Sequence, residues 1–185
     1  MLKVLSNTLR KYAKSPFILL FFLLLLLFQM VLVPMVQGKL EASSGGTSLV
    51  DLLFSYSPET AYTMVGSYGD LGRALYITFT STADMIYPVV YSIFFSLLLT
   101  WLLHRGFKSE SKWQILNVIP FGAMIFDWLE NANLLILLSQ FPSRTSGVAE
   151  FSSICTTLKW GFGALSIFVV LLGFVKALSN GFKKR

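Results

Sequence analysis

The chain has 185 residues, of which 55% are hydrophobic and 13% charged, so its composition excludes an ordinary water-soluble domain. Its formal net charge of +6 does not indicate nucleic-acid binding, because the Lys and Arg residues flank apolar runs instead of lining one solvated face. The single cysteine, Cys155, excludes an internal disulfide, a CxxC redox pair and a thiolate zinc site.

Four apolar segments are each long enough to cross a membrane as a helix, since a crossing takes about 20 residues. They cover residues 16–38, 73–103, 113–139 and 151–178. This pattern predicts an all-α integral membrane four-helix bundle that forms a single membrane domain over residues 1–185. The first segment also resembles a signal peptide, but the apolar part of a signal peptide has roughly 7 to 15 residues. We therefore interpret it as an uncleaved anchor.

The distribution of basic residues predicts the orientation, because cytoplasmic loops retain Lys and Arg. Most of these residues lie in the N-terminal tail, the second loop and the C-terminal end: Lys3, Arg10, Lys11, Lys14, Arg105, Lys108, Lys112, Lys176, Lys183, Lys184 and Arg185. Only Lys39, Arg73, Arg144 and Lys159 fall elsewhere. We expect both termini in the cytoplasm and the chain in the cytoplasmic (plasma) membrane.

The long first connection, residues 39–72, is predicted to be external. Its first part, EASSGGTS, is typical of a flexible linker, whereas its second part is rich in aromatic residues. Ser57 precedes a proline and a glutamate, a typical helix start that predicts a short extracytoplasmic surface helix. Gly66 and Gly69 would end this helix, and Asp70 would cap the second span. An ordinary connector and a lid are both compatible with this segment.

A polar stripe runs along the second span at helical spacing. Six polar residues fall on one side: Arg73, Tyr76, Thr80, Asp84, Tyr87 and Tyr91. Such a stripe is expected to face the bundle interior, with Pro88 bending the helix close to Asp84.

The third span contains FDWLENAN, in which Asp127, Glu130 and Asn131 share one side because residues three and four apart are neighbours on a helix. Counting the rise per residue puts these acids and Asp84 at similar depth. Lys159 of the fourth span either meets the acids or extends to the membrane interface, and the sequence favours neither. Arg73 is expected at the mouth of the site.

Charged groups within a span are costly unless they are paired or line a cavity. Because the acids outnumber the basic residues, one acid is expected to stay protonated and serve as an acid, a base or a ligand for a cationic group. The candidate acid/base residues are Asp84, Asp127 and Glu130, and the candidate binding residues are Arg73, Tyr76, Thr80, Tyr87, Tyr91, Asn131 and Lys159. No metal and no cofactor are predicted, since histidine and thiolate ligands are missing from the site.

Two functions remain open. In the first, the bundle binds or acts on a lipid-like amphipathic small molecule from the outer half of the membrane. In the second, the chain is a non-enzymatic membrane component, either a small transporter protomer or an accessory subunit, whose buried polar network is structural. Enzymatic activity is left open in both. Membrane lipids are the expected partners, and a homo-oligomer is compatible with the sequence. Gly161 and Gly163 are interpreted as sites of close helix packing.

Overall fold

The computed structural model describes residues 2–183, and every regular element in that range is helical. Its α-helices are α1 (Leu2–Tyr12), α2 (Ser15–Leu27), α3 (Val33–Ser44), α4 (Pro58–Ser67), α5 (Gly69–Ser81), α6 (Ala83–Gly106), α7 (Pro120–Gln140) and α8 (Val148–Lys183). A π-helical turn, Phe28–Leu32, joins α2 to α3, and 3-10 helices cover Val50–Leu52 and Lys112–Val118. The all-helical class predicted from the sequence is confirmed for these residues.

Four helical runs in this range are long and apolar enough to cross a membrane: Ser15–Ser44, Ala83–Gly106, Lys112–Gln140 and Val148–Gly181. The number of spans is the predicted one, which supports a multi-pass membrane protein. The second run is the most buried: 56% of its most apolar 18-residue stretch is buried, whereas the corresponding share for the first run is 6%. Helix α6 accordingly packs against α2, α7 and α8, while α2 lies at the outside of the bundle with six of its ten leucines and phenylalanines exposed.

The second span is not the single helix over 73–103, bent at Pro88, that the sequence suggested. The helix breaks at Thr82, whose φ of −123° and ψ of −89° are not helical. The side-chain hydroxyls of Ser81 and Thr82 donate to the backbone carbonyl of Thr78, at 3.3 and 2.5 Å. Hydroxyl side chains that bond nearby carbonyls compete with the helical hydrogen bonds, which accounts for the break in a run of Ser and Thr.

The helix predicted within the first connection is present as α4. The Ser57 hydroxyl accepts a hydrogen bond from the backbone N–H of Thr60 at 3.1 Å, and Pro58 occupies the first turn. The predicted capping role of Asp70 is wrong, because α5 begins at Gly69 and Asp70 lies within its first turn, ion-paired with Arg73. Gly69 has a φ of +65°, which lets the chain turn between α4 and α5.

The first connection packs as a folded cap on one end of the bundle. Leu49 and Val50 are buried there beside Leu40 of α3, and Ala61 and Val65 of α4 are fully buried. These residues form one apolar core with the neighbouring parts of α5, α7 and α8. Of the segment interpreted as a flexible linker, residues 41–48, the first four residues form the last turn of α3, which ends at Ser44. The packed part of the connection begins after it, at Leu49.

The opposite end of the bundle holds α1, a helix that the sequence analysis did not predict. Ser6 of α1 donates to the carbonyl of Gln114 at 3.4 Å, and the Asn117 amide donates to the carbonyl of Ser6 at 3.4 Å. Near the other terminus, Asn180 donates to the carbonyl of Gly106 at 3.0 Å. Both ends of the described chain thus lie at the same end of the bundle.

Close helix packing occurs at other glycines than expected. A Cβ at Gly161 or Gly163 would meet no atom within 4 Å. A Cβ at Gly106 would lie 2.9 Å from the Cβ of Lys176, and one at Gly173 would lie 3.1 Å from the Cβ of Leu102. The close approach therefore joins the ends of α6 and α8.

Candidate functional site: a buried acidic cluster around Lys159

Four buried carboxyl groups and one lysine lie together where the folded cap meets the bundle. We call them the acidic cluster, which consists of Asp51, Asp84, Asp127, Glu130 and Lys159. The Lys159 ammonium lies 2.5 Å from Glu130 Oε2 and 3.8 Å from Asp127 Oδ1. The lysine side chain is only 12% exposed, so it turns to the acids instead of extending to the interface. This resolves the alternative that the sequence left open.

Each of the two acids on α7 also receives a hydroxyl hydrogen bond. Tyr91 of α6 donates to Asp127 Oδ2 at 3.0 Å, and Thr156 of α8 donates to Glu130 Oε1 at 2.5 Å. Thr156 was not predicted as a site residue, although it lies three residues before Lys159 on the same face of α8. Helices α6, α7 and α8 therefore each contribute a side chain to the same contacts.

Asp51 belongs to the cluster and was not predicted. It lies on the 3-10 turn Val50–Leu52 of the first connection, and the residue is only 8% exposed. Tyr76 of α5 donates to its carboxylate, and Lys159 donates to its backbone carbonyl at 3.4 Å. The only signal in the sequence was an acid within an otherwise apolar stretch, LVDLLF.

The segment that carries Asp51 is attached to α8 by hydrogen bonds. The backbone N–H of Tyr56 donates to Ser153 Oγ at 2.9 Å, and its hydroxyl donates to Ser152 Oγ at 2.7 Å. Trp160 Nε1 donates to the carbonyl of Leu53 at 3.1 Å. Burial, together with the nearby carboxylates, raises the pKa of Tyr56 to about 12, so its hydroxyl stays protonated at neutral pH. The segment thus covers the cluster from the cap side.

Asn131 compensates for the proline in α6. Pro88 has no N–H, so the carbonyl of Asp84, four residues earlier, loses its helical partner. The Asn131 amide donates to that carbonyl at 3.0 Å. One turn along the same seam, Trp128 Nε1 donates to the carbonyl of Met85 at 3.0 Å. The α6 helix therefore continues through Pro88, and α7 supplies the missing donor.

Three buried oxygens near the helix break have no hydrogen-bond partner: Asp84 Oδ2, Asn131 Oδ1 and Thr80 Oγ1. Asp84 is 5% exposed, and the other two residues are fully buried. Buried polar atoms are nearly always hydrogen-bonded, so an unsatisfied group calls for an explanation. In this respect Asp84 differs from Asp127 and Glu130, whose carboxylates are paired.

Tyr87 lies at the edge of the cluster, toward the first span. Its ring stacks on Phe28 with 5.1 Å between centroids and meets Tyr91 edge-on at 5.3 Å. Gln29 of the π-helical turn donates to its hydroxyl. The otherwise apolar first span therefore contributes a polar side chain here, which the sequence analysis overlooked.

Arg73 is not brought to the acids, contrary to its expected place at the mouth of the site. It pairs with Asp70 one turn away and donates to the carbonyl of Val65 at 3.3 Å. Its guanidinium also lies over the Phe141 ring, 4.6 Å from the centroid. These contacts hold Arg73 in the folded cap.

The cluster combines a surplus of acid with little access to water. Its four carboxyl groups face one ammonium, and a buried carboxylate without a countercharge is more stable when protonated or when it binds a cationic donor. No group of three or more His, Cys, Asp or Glu side chains within residues 2–183 is arranged to hold a metal ion. The arrangement can hold protons, accept hydrogen bonds and balance a positive charge.

Comparison of the chain with protein-family models, with curated proteins and with solved structures finds no match in any of the three.

Proposed function

We propose that this chain is a multi-pass protein of the cytoplasmic membrane whose acidic cluster binds the polar head group of a lipid-like amphipathic molecule. The observation that carries the proposal is the burial of Asp84, Asp127, Glu130 and Lys159 within helices apolar enough to span a membrane. Ionisable groups in such helices are costly and are typical of ligand or proton sites.

The proposed orientation has both termini in the cytoplasm and α4 on the outer membrane surface. The positive-inside distribution of Lys and Arg supports it. The location of α1 and the end of α8 at one end of the bundle is compatible with it, because an even number of spans brings both termini to one side. The acidic cluster would then lie in the outer half of the membrane, beneath the first connection.

Exposed apolar surface at the same level of α6 and α7 supports an amphipathic ligand. Ile86 is 57% exposed and Trp128 is 39% exposed, and the Trp128 indole donates to the carbonyl of Met85, next to Ile86 on α6. A molecule whose head reaches the cluster could lay its tail along this α6 and α7 surface. An acid that stays protonated could also act as a general acid on the bound molecule, so the proposal includes catalysis as an extension of binding.

The alternative is a non-enzymatic membrane component, a small transporter protomer or an accessory subunit, whose network only fixes helix register. The mutual pairing of Lys159, Glu130, Thr156, Tyr91 and Asp127 favours it. The unpartnered carboxylate oxygen of Asp84 favours ligand binding instead, because a purely structural network is expected to satisfy its members.

Native mass spectrometry of the purified protein tests the proposal, using Asp84→Asn, Glu130→Gln and the exposed control Glu150→Gln. We expect a lipid-like species to remain bound to the native chain and the control and to be lost from both cluster variants. Retention of the same species by all variants at unchanged thermal stability would refute the site. If the native protein carries no bound species and the two cluster variants are less stable than it, the result would favour the structural network.

A further inference from the structure

The unpartnered oxygens near the Thr82 break indicate what kind of head group fits the site. We propose that Asp84, with Asn131 and Thr80, recognises a protonated amine on the amphipathic molecule. This inference rests on the proposed function above and adds the chemical class of the ligand to it.

The ion pairs of the structure leave Asp84 without a cation. Lys159 is engaged by Glu130 and Asp127, Arg73 pairs with Asp70, and no ion pair within residues 2–183 involves Asp84. A second positive charge in the cluster therefore has a vacant carboxylate to bind. An anionic head group, in contrast, would meet three acids besides the one neutralised by Lys159.

The free hydrogen-bonding atoms near Asp84 are mainly acceptors. The Asn131 amide nitrogen already donates to the Asp84 carbonyl, so its free Oδ1 can only accept. Asp84 Oδ2 accepts as well, and the buried hydroxyl of Thr80 can also accept. An ammonium group has three N–H donors and no acceptor, which matches this set. A neutral alcohol could satisfy only one of these atoms with its single O–H.

The backbone around the break also favours negative charge on Asp84 and positive charge beside it. Asp84 lies in the first turn of α6, where the positive end of the helix dipole stabilises a carboxylate. The C-terminal end of α5, at Ser81, carries the opposite partial charge and attracts a cation. Ends of broken helices in membrane proteins serve as ion sites for this reason.

A matched pair of probes tests the inference: hexadecylamine and hexadecanol, which share a tail and differ in the head group. Binding to the full chain is measured in nanodiscs of zwitterionic phosphatidylcholine by native mass spectrometry and by the shift of thermal unfolding. We expect the native chain to prefer the amine by about tenfold or more, equivalent to about 1.4 kcal/mol. Asp84→Asn should remove that preference, so that the amine no longer binds more tightly than the alcohol.

Two further variants act as controls. Asp84→Glu keeps the charge and should retain part of the preference for the amine. Glu150→Gln removes a carboxylate from the exposed surface near the same end of the bundle, so it should leave the preference intact. Loss of the preference in this control would mean that general electrostatic attraction, not Asp84, selects the amine.

The possible failures are distinguishable. Equal binding of both probes, unaffected by Asp84→Asn, would overturn the amine assignment while leaving an amphiphile site in place. Binding of neither probe would count against the proposed function itself. Stabilisation by sodium chloride and not by the amine would overturn the assignment in favour of an inorganic cation held by the same oxygens.

Discussion

Lys159 and Asp84 represent the two kinds of residue in the acidic cluster. The Lys159 ammonium, 2.5 Å from Glu130, holds α7 and α8 together through charge. Asp84 has a free carboxylate oxygen and no ion pair among residues 2–183. Removing a charge from the Lys159–Glu130 ion pair, which maintains the fold, should therefore change the stability of the protein differently from removing the charge of Asp84.

Glu130→Gln is expected to destabilise the protein, whereas Asp84→Asn is not. The first change removes the closest partner of a buried ammonium, a loss worth about 3–5 kcal/mol when nothing replaces it. The second removes an unpaired buried carboxyl and should leave the free energy of unfolding unchanged or raise it. Thermal unfolding without added ligand measures both. Equal destabilisation by both variants would contradict this division of roles.

The Asn131 hydrogen bond to the Asp84 carbonyl should matter only because of Pro88. Asn131→Leu leaves a buried carbonyl unsatisfied, which costs about 1–3 kcal/mol. Pro88→Ala restores the N–H that the carbonyl lacks, so Asn131→Leu should cost less in that background. A double-mutant cycle of thermal stability measures the difference, and additivity of the two changes would show that they are independent.

At the residue scale, the helical spacing of the sequence predicted which side chains of α6 and α7 point inward. Asp84, Asp127 and Glu130 are buried for that reason. Asp51 could not be found in this way, because a 3-10 turn in a connection has no long periodicity. Arg73 was misassigned because its local partners, Asp70 one turn away and the Phe141 ring, hold its guanidinium in the folded cap.

At the scale of elements, α6 packs against α2, α7 and α8, and the two ends of α6 differ in their surroundings. Its first turn follows the break at Thr82, and its last turn approaches α8 closely at Gly106. Length and hydropathy were sufficient to predict four spans. They could not predict the break, which depends on hydroxyls of Ser81 and Thr82 competing for backbone carbonyls, or α1, whose apolar side packs on another element.

Gly106→Ala should destabilise the contact between α6 and α8. The added Cβ would lie 2.9 Å from the Lys176 Cβ and 3.3 Å from the Gly173 carbonyl oxygen. Overpacking of this kind costs about 1–3 kcal/mol. Gly161→Ala is the matched control, because its Cβ meets nothing within 4 Å and alanine favours the helix by about 1 kcal/mol. The two variants should therefore shift the thermal unfolding midpoint in opposite directions, and a shift in the same direction would contradict the packing.

At the scale of the whole molecule, the proposed orientation exposes α4 and the loop between α6 and α7 on opposite sides of the membrane. Cys155, which is fully buried, can be replaced by alanine to give a cysteine-free background. A membrane-impermeant maleimide applied to intact cells should then label Thr63→Cys in α4. It should label Ser109→Cys only after the membrane is permeabilised. The reverse pattern would invert the orientation and put the acidic cluster in the inner half.

The central claim is that the acidic cluster binds an amphipathic molecule and is not only a brace between helices. The most direct measurement is an experimental density map of the full chain purified from its own membrane, at a resolution that separates water from lipid. We expect elongated density that ends within hydrogen-bonding distance of Asp84 and continues along the exposed side chains of Ile86 and Trp128. A cluster that contains only ordered water, with ordinary lipid around the bundle, would contradict the claim.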